Sequence, residues 1–143
     1  MSGGLIALIT VASIVLCCAL SCIWCCISNS LWRNERIKEL KAVSEIVKTS
    51  KGEIEISKKG EAPYLLALHG TTGIHDGLSC YFDEMLNRGF GIITPSRPGY
   101  GRTPLETGST SAEAADALAA LLDELKIDHV VIFGVSGGGP TAL

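Results

Sequence analysis

The first 27 residues carry no charged side chain, and no other feature constrains the chain as strongly. Leu5 to Ile27 reads LIALITVASIVLCCALSCIWCCI. As a helix this run spans roughly 34 Å, and a bilayer core needs about 20 such residues. In hydrocarbon each backbone amide must find its partner inside the segment, which favours a helix. Trp24 and Trp32 lie toward one end, followed by Arg33, Arg36, Lys38 and Lys41. The other flank, Met1 to Gly4, offers only the terminal amine. The positive-inside rule then places the carboxyl side in the cytosol. A cleaved signal peptide would want a charged n-region, a shorter apolar core and a small-x-small site; Ala19-Leu20-Ser21 matches that site weakly. The expected organisation is a short lumenal or extracellular tail at 1–4, a transmembrane signal-anchor at 5–27, a basic juxtamembrane linker at 28–50 and a globular domain at 51–143. The protein is thus expected to be a single-pass membrane protein with a cytosolic domain.

Charge is distributed accordingly. Residues 28–60 hold eight Lys/Arg and five Asp/Glu, whereas residues 61–143 hold four and ten. No stretch has the dense basic patch that nucleic acid requires, so no nucleic-acid partner is expected. The second half is too rich in Val, Ile, Leu and Ala for disorder.

Cys17, Cys18, Cys22, Cys25 and Cys26 fall inside the apolar run, and only Cys80 lies outside it. A metal site would need a folded polar shell and further ligands, and none is nearby. A disulfide framework would need cysteines spread over an exported domain. The thiols are ordinary small apolar groups for a membrane helix, with S-palmitoylation of Cys25 or Cys26 as the sharper reading.

Between Asn34 and Ser50, Ile37, Leu40, Val43 and Val47 fall near helical spacing. The segment reads as an amphipathic helix, a helix that gives way to a strand near Val47, or a solvated connector. Lys51-Gly52 is a turn. Glu53 to Ser57 alternates polar and apolar, which predicts a half-buried strand. Tyr64 to Leu68, Gly91 to Thr94 and Val130 to Phe133 are continuous apolar runs, each predicting a buried strand. Leu78 to Arg88 predicts a short helix ended by Gly89. Thr110-Ser111-Ala112-Glu113 is a capping box. It opens a helix with Ala115, Leu118, Leu122 and Leu125 on one face and Glu113, Asp116, Asp123 and Glu124 largely on the other. Strands alternating with helices predict right-handed crossovers and a largely parallel sheet.

Gly134-Val135-Ser136-Gly137-Gly138 matches G-x-S-x-G, directly after an apolar strand. Such a turn is sharp and strains the serine backbone. Gly134 and Gly138 leave room where strand and helix nearly touch, and Pro140 is tolerated in a first helical turn. The turn lifts the Ser136 oxygen clear, and the Gly137 amide can donate to an oxyanion. His69-Gly70 ends the first core strand, and the Thr71 amide is the expected second donor. Ser96-Arg97-Pro98-Gly99-Tyr100-Gly101-Arg102-Thr103 follows the next core strand.

The ordered set HGTTG, SRPGYGRT and GVSGGGP resembles the amino-terminal half of an α/β-hydrolase, over about residues 50–143. The resemblance implies a three-layer fold around an eight-stranded, mostly parallel sheet, here ending after the nucleophile elbow. It makes Ser136 the nucleophile and the Thr71 and Gly137 amides the oxyanion hole. His69 and Gly70 become motif support, and the chemistry is acyl transfer through an acyl-enzyme. Serine at the elbow disfavours the epoxide hydrolases and haloalkane dehalogenases of similar fold, which use aspartate there. Val135 stands where many relatives have histidine.

In this fold the triad acid and histidine follow the serine, and only residues 137–143 do so here. His69 and His75 are poor substitutes, and His129 stands at the far end of its strand. Asp76 and Asp128 read as loop and turn residues. The elbow strand is then expected to be an exposed apolar edge, and the sequence to be part of a longer protein. The leading functional expectation is a membrane-anchored serine hydrolase acting on a small-molecule ester or lipid acyl substrate, with no cofactor and no metal. The alternatives are an inactive membrane-tethered interaction module, or a serine acyltransferase or lyase on the same scaffold.

Overall fold

A computed structural model describes residues 3–78 and 81–143. The chain divides into two compact units, one ending at Glu39 and one running from Leu40 to Leu143. The first unit is most of a single helix, α1 (Gly3–Ala42). Its apolar part is unburied, and the helix is long and apolar enough to cross a membrane by length and composition. Met1 and Ser2, part of the expected tail, lie outside the described residues. The helix does not stop near residue 27 but winds on through the basic segment, where Arg36 pairs with Glu39 at 3.2 Å. Of the readings for 28–50, a helix giving way to a strand near Val47 is the one observed.

In the second unit, the Val43 N–H donates to the Leu40 carbonyl at 3.3 Å, and β1 (Glu45–Thr49) follows. A tight turn at Ser50-Lys51 returns the chain as β2 (Gly52–Lys59), with Thr49 opposite Gly52. Then come β3 (Tyr64–Leu68), α2 (Asp83–Asn87), β4 (Gly91–Pro95), α3 (Ser111–Glu124), β5 (Val130–Gly134) and the short α4 (Gly139–Ala142). One sheet has the order β1-β2-β4-β3-β5. The expectation of a mostly parallel sheet needs correction. β1 and β2 pair antiparallel, β2 and β4 pair antiparallel, and only β4-β3 and β3-β5 are parallel. The reason is local: a two-residue turn between β1 and β2 allows only an antiparallel hairpin.

Side chains alternate across the parallel strands to make two cores. Ile54, Ile56, Leu66, Leu68 and Ile93 pack against Ala117, Leu118 and Leu121 of α3. On the opposite face Ala67 and Ile92 pack with Leu78 and Phe82. α3 therefore covers one face of the sheet, and Leu78, Phe82 and, from α2, Leu86 lie on the other.

Three details of the sequence reading change, and one expectation is met. Residues Ile54 to Ser57 of β2 are all buried, including Glu55, because β1 and β4 flank the strand. β5 is the exposed apolar edge expected of the elbow strand, although its apolar run alone predicts burial: Val131, Ile132 and Phe133 are 62%, 47% and 45% exposed. It pairs with β3, and among the described residues nothing lies across its other edge. The buried face of α3 centres on Ala114, Ala117, Leu118 and Leu121, with Ala115, Leu122 and Leu125 at its margin. The helix expected from Leu78 to Arg88 is α2 alone within the described residues; Ser79 and Cys80 lie outside them. No side chain caps α2 at Phe82, and Gly89 at φ +87 follows its end. The capping box forms as expected: the Thr110 side chain accepts from the Glu113 N–H, and Glu113 Oε2 accepts from the Thr110 N–H. Bonds from Ser109 and Thr110 hold the Glu113 carboxyl below its ordinary value.

Candidate active site

Because β3, β4 and β5 are parallel, their carboxyl ends deliver three loops to one end of the sheet. These are the loops at His69–Gly73, Ser96–Thr103 and Val135–Gly138. Leu68 sits opposite Gly134, and the Val135 N–H donates to the Leu68 carbonyl at 3.0 Å. The turn after β5 therefore lies against the end of β3.

Ser136 has φ +48, a left-handed conformation that strains a residue with a Cβ. A short 3₁₀ turn at Ser136–Gly138 passes into α4, with Pro140 in the first turn. The flanking glycines are sterically required. A Cβ on Gly134 would lie 2.8 Å from the Gly138 carbonyl oxygen, and one on Gly138 would lie 2.5 Å from the Leu68 carbonyl oxygen. Ser136 itself is exposed and reachable.

Thr71 and Gly137, the expected oxyanion donors, are brought together. The Cβ direction of Gly137 points to Thr71, at 2.9 Å from its Oγ1 and 3.5 Å from its amide nitrogen. Gly70 faces Ser136 across a similarly narrow gap, since a Cβ there would stand 3.3 Å from Ser136 Cβ. A cavity of about 680 Å³ opens at this point. Leu78, Tyr81, Phe82, Phe133 and Val135 form its apolar wall, with Thr71 and Ser136 also lining it. Phe82 and Phe133 meet edge to face at 5.4 Å.

His69 is a structural histidine. Its Nδ1 meets the Gly70 carbonyl at 2.7 Å, and its Nε2 accepts from the Arg97 backbone N–H at 2.9 Å. A carbonyl only accepts and an amide only donates, so Nδ1 carries the proton. Burial pushes the ring pKa below its ordinary value, and the nearby Arg97 acts in the same direction. Both nitrogens are occupied, which leaves none to deprotonate Ser136. His75 is buried elsewhere, with Nε2 3.6 Å from Glu55 Oε1. His129 is exposed just before β5. Among the described residues that line the cavity there is no carboxylate, and His69 is the only histidine.

Sequence reading missed one group entirely. Glu55, on β2, is 2% exposed. Its Oε1 accepts from Arg102 Nε at 2.7 Å and from Ser44 Oγ at 2.9 Å. Its Oε2 accepts from the Arg102 backbone at 2.8 Å and from Ser96 Oγ at 3.0 Å. Burial alone would raise the Glu55 carboxyl, but the bonds from Arg102, Ser44 and Ser96 hold it below the ordinary carboxylate value. This carboxylate fastens the loop after β4. Gly101, at φ +56, must be glycine, because a Cβ there would stand 2.2 Å from Glu55 Oε2. The available clue was Arg102, a cation in a loop after a core strand that can pair with a carboxylate on a neighbouring strand.

Comparison with known proteins agrees with this geometry. A family model of the alpha/beta hydrolase fold matches residues 63–143, and the chain belongs to that family. It is 38% identical over 96 residues to an uncharacterized hydrolase, YcgS, of Bacillus subtilis (strain 168), covering 64% of this chain and 32% of that protein. It is 29% identical over 113 residues to the 2-hydroxy-6-oxononadienedioate/2-hydroxy-6-oxononatrienedioate hydrolase 1 of Pseudomonas putida, covering 72% and 40%. The solved structure of an alpha/beta hydrolase fold protein from Nakamurella multipartita superposes with a TM-score of 0.62 at 36% identity, covering 69% of this chain and 34% of that one. The chain thus spans between about a third and two fifths of the lengths of these relatives.

Proposed function

We propose that the protein is a membrane-anchored serine hydrolase that cleaves carboxylic esters or lipid acyl groups through an acyl-enzyme. The observation that carries this reading is Ser136, held at φ +48 on an exposed turn with Thr71 and Gly137 alongside. In this mechanism Ser136 Oγ attacks the ester carbonyl carbon while its proton passes to a general base. The carbonyl oxygen becomes an oxyanion that accepts from the Thr71 and Gly137 amides. Collapse expels the alcohol, which takes up the proton, and water then hydrolyses the acyl-serine. His69, fully bonded, is not that base; in α/β-hydrolases the acid and the histidine follow the nucleophile in chain order. The apolar wall formed by Leu78, Phe82, Phe133 and Val135 suits an apolar acyl group.

The uncharged run within α1 and the basic residues after it support a single-pass anchor with the hydrolase domain on the cytosolic side. Cys25 and Cys26, exposed on α1, are the candidate S-palmitoylation sites, testable by hydroxylamine-sensitive acyl exchange. A second reading, a tethered interaction module without catalysis, is favoured by one observation: both ring nitrogens of His69, the one described histidine at the cavity, are already bonded. An acyltransferase or lyase on the same scaffold would share the Ser136 geometry and differ in its acceptor.

The test is turnover of p-nitrophenyl esters by the full-length protein, in water and with added alcohol. Hydrolysis that is lost in Ser136→Ala supports the proposal. Transfer to alcohol without hydrolysis would redirect it to an acyltransferase. A folded protein with no turnover beyond that of Ser136→Ala would favour the interaction module.

A further inference from the structure

The two expected oxyanion donors come from different strand ends, Thr71 after β3 and Gly137 after β5. An oxyanion hole acts only when both N–H groups aim at one point. Arg97, the second residue of the loop after β4, reaches both sides. Its backbone N–H donates to His69 Nε2 at 2.9 Å, and His69 is itself bonded to the Gly70 carbonyl at 2.7 Å. That is the strand end that presents Thr71. Its guanidinium Nη1 donates to the Gly137 carbonyl. Its Nη2 stands 3.1 Å from where a Cβ on Gly137 would lie.

Tyr100 braces this bridge. The guanidinium carbon lies 5.1 Å from the Tyr100 ring centroid, and the same ring meets His69 edge-on at 5.0 Å. The Glu55 carboxylate holds the loop itself through Ser96 Oγ and the Arg102 backbone. The chemistry calls for arginine. A guanidinium can lie against an aromatic ring while aiming its planar donors at a carbonyl, whereas an ammonium is a point donor.

We infer that Arg97 is a positioning residue that sets the spacing of the Thr71 and Gly137 oxyanion donors, acting through His69 on one side and the Gly137 carbonyl on the other. The inference deepens the serine-hydrolase reading and rests on it for its catalytic consequence. The spacing itself can be read without catalysis.

The experiment compares full-length wild type, Arg97→Ala and Arg97→Lys in detergent. Amide hydrogen exchange is followed in the peptide that spans Gly134–Gly139. The rate of covalent labelling by a fluorophosphonate, the steady-state constants on a p-nitrophenyl ester and the thermal midpoint are also measured. In Arg97→Ala the elbow amides exchange faster, and kcat and the labelling rate fall by about tenfold or more. KM stays within about twofold, since the acyl pocket is untouched. Arg97→Lys keeps the charge and the fold and recovers only part of the rate, so it carries the test if Arg97→Ala does not fold. Elbow exchange that is unchanged in a folded Arg97 variant overturns the inference whatever the activity. Faster exchange with an unlabelled wild type supports the coupling and counts against the serine-hydrolase reading alone.

Discussion

β4 and β5 are both five-residue strands, both apolar in sequence, and both pair in parallel with β3. Yet all five residues of β4 are buried, and none of β5 is. The difference lies on the far edge. β4 has β2 and then β1 beyond it, and the Glu55 carboxylate ties its following loop to the sheet. Among the described residues β5 has no neighbour beyond it. The burial of an apolar strand is therefore a property of its neighbours and not of its own residues. The candidate site straddles this border. Its β3 and β4 loops are locked by buried polar bonds, whereas Ser136 sits on the open strand. Ser136 is held by the Val135–Leu68 bond, by close glycine packing and by Arg97.

The comparison can be tested by substitution. Ile93→Ala on β4 should cost about 4 kcal/mol, because a fully buried side chain is lost and a cavity remains. Ile132→Ala on β5 should cost less than about 1 kcal/mol in this chain. Urea unfolding of the two variants checks the ratio, and equal costs would break the distinction.

Arg102→Ala removes the main partner of a buried carboxylate and should cost about 3 kcal/mol at neutral pH. The pH dependence sharpens that prediction. The Glu55 carboxyl is held below its ordinary value of 4.5 in the folded state. Its contribution is therefore complete above about 4.5 and is lost as pH falls through the lowered folded value. Below that window the gap between wild type and Arg102→Ala should narrow. His69 acts in a separate, higher window. Its folded pKa lies below the ordinary 6.5, so the folded state resists protonation. Stability should begin to fall as pH drops below about 6.5, and a His69→Gln variant should lack that limb. Chemical denaturation at a series of pH values measures both windows.

Smaller effects should come from the helix end. Thr110→Ala should cost about 1 kcal/mol, since it removes half of a reciprocal cap. That cost should be the same whether or not the β5 face is altered, because the two lie apart and add independently.

The sequence made visible those features whose cause is local. The strained turn at Ser136 follows from the glycine spacing after an apolar strand, and the Thr110–Glu113 cap follows from a four-residue pattern. The meeting of Thr71 with Gly137 was legible because parallel strands deliver their following loops to one end. What stayed hidden depended on partners distant in the chain. Glu55 alternates with isoleucines and reads as a solvent-facing residue. Its burial is set by Arg102 and Ser96, which lie 47 and 41 residues away. The antiparallel pairing of β2 with β4 likewise depends on which strands lie alongside. Arg97 is visible in the SRPGYGRT motif, but its bridge between His69 and Gly137 exists only in three dimensions.

The most direct measurement is fluorophosphonate labelling of the full-length protein, followed by peptide mass mapping. One phosphonyl adduct on the peptide that carries Ser136, absent from Ser136→Ala and abolished by prior unfolding, is the expected result. A folded protein that stays unlabelled, or one labelled equally with and without Ser136, would contradict the assignment of Ser136 as the nucleophile.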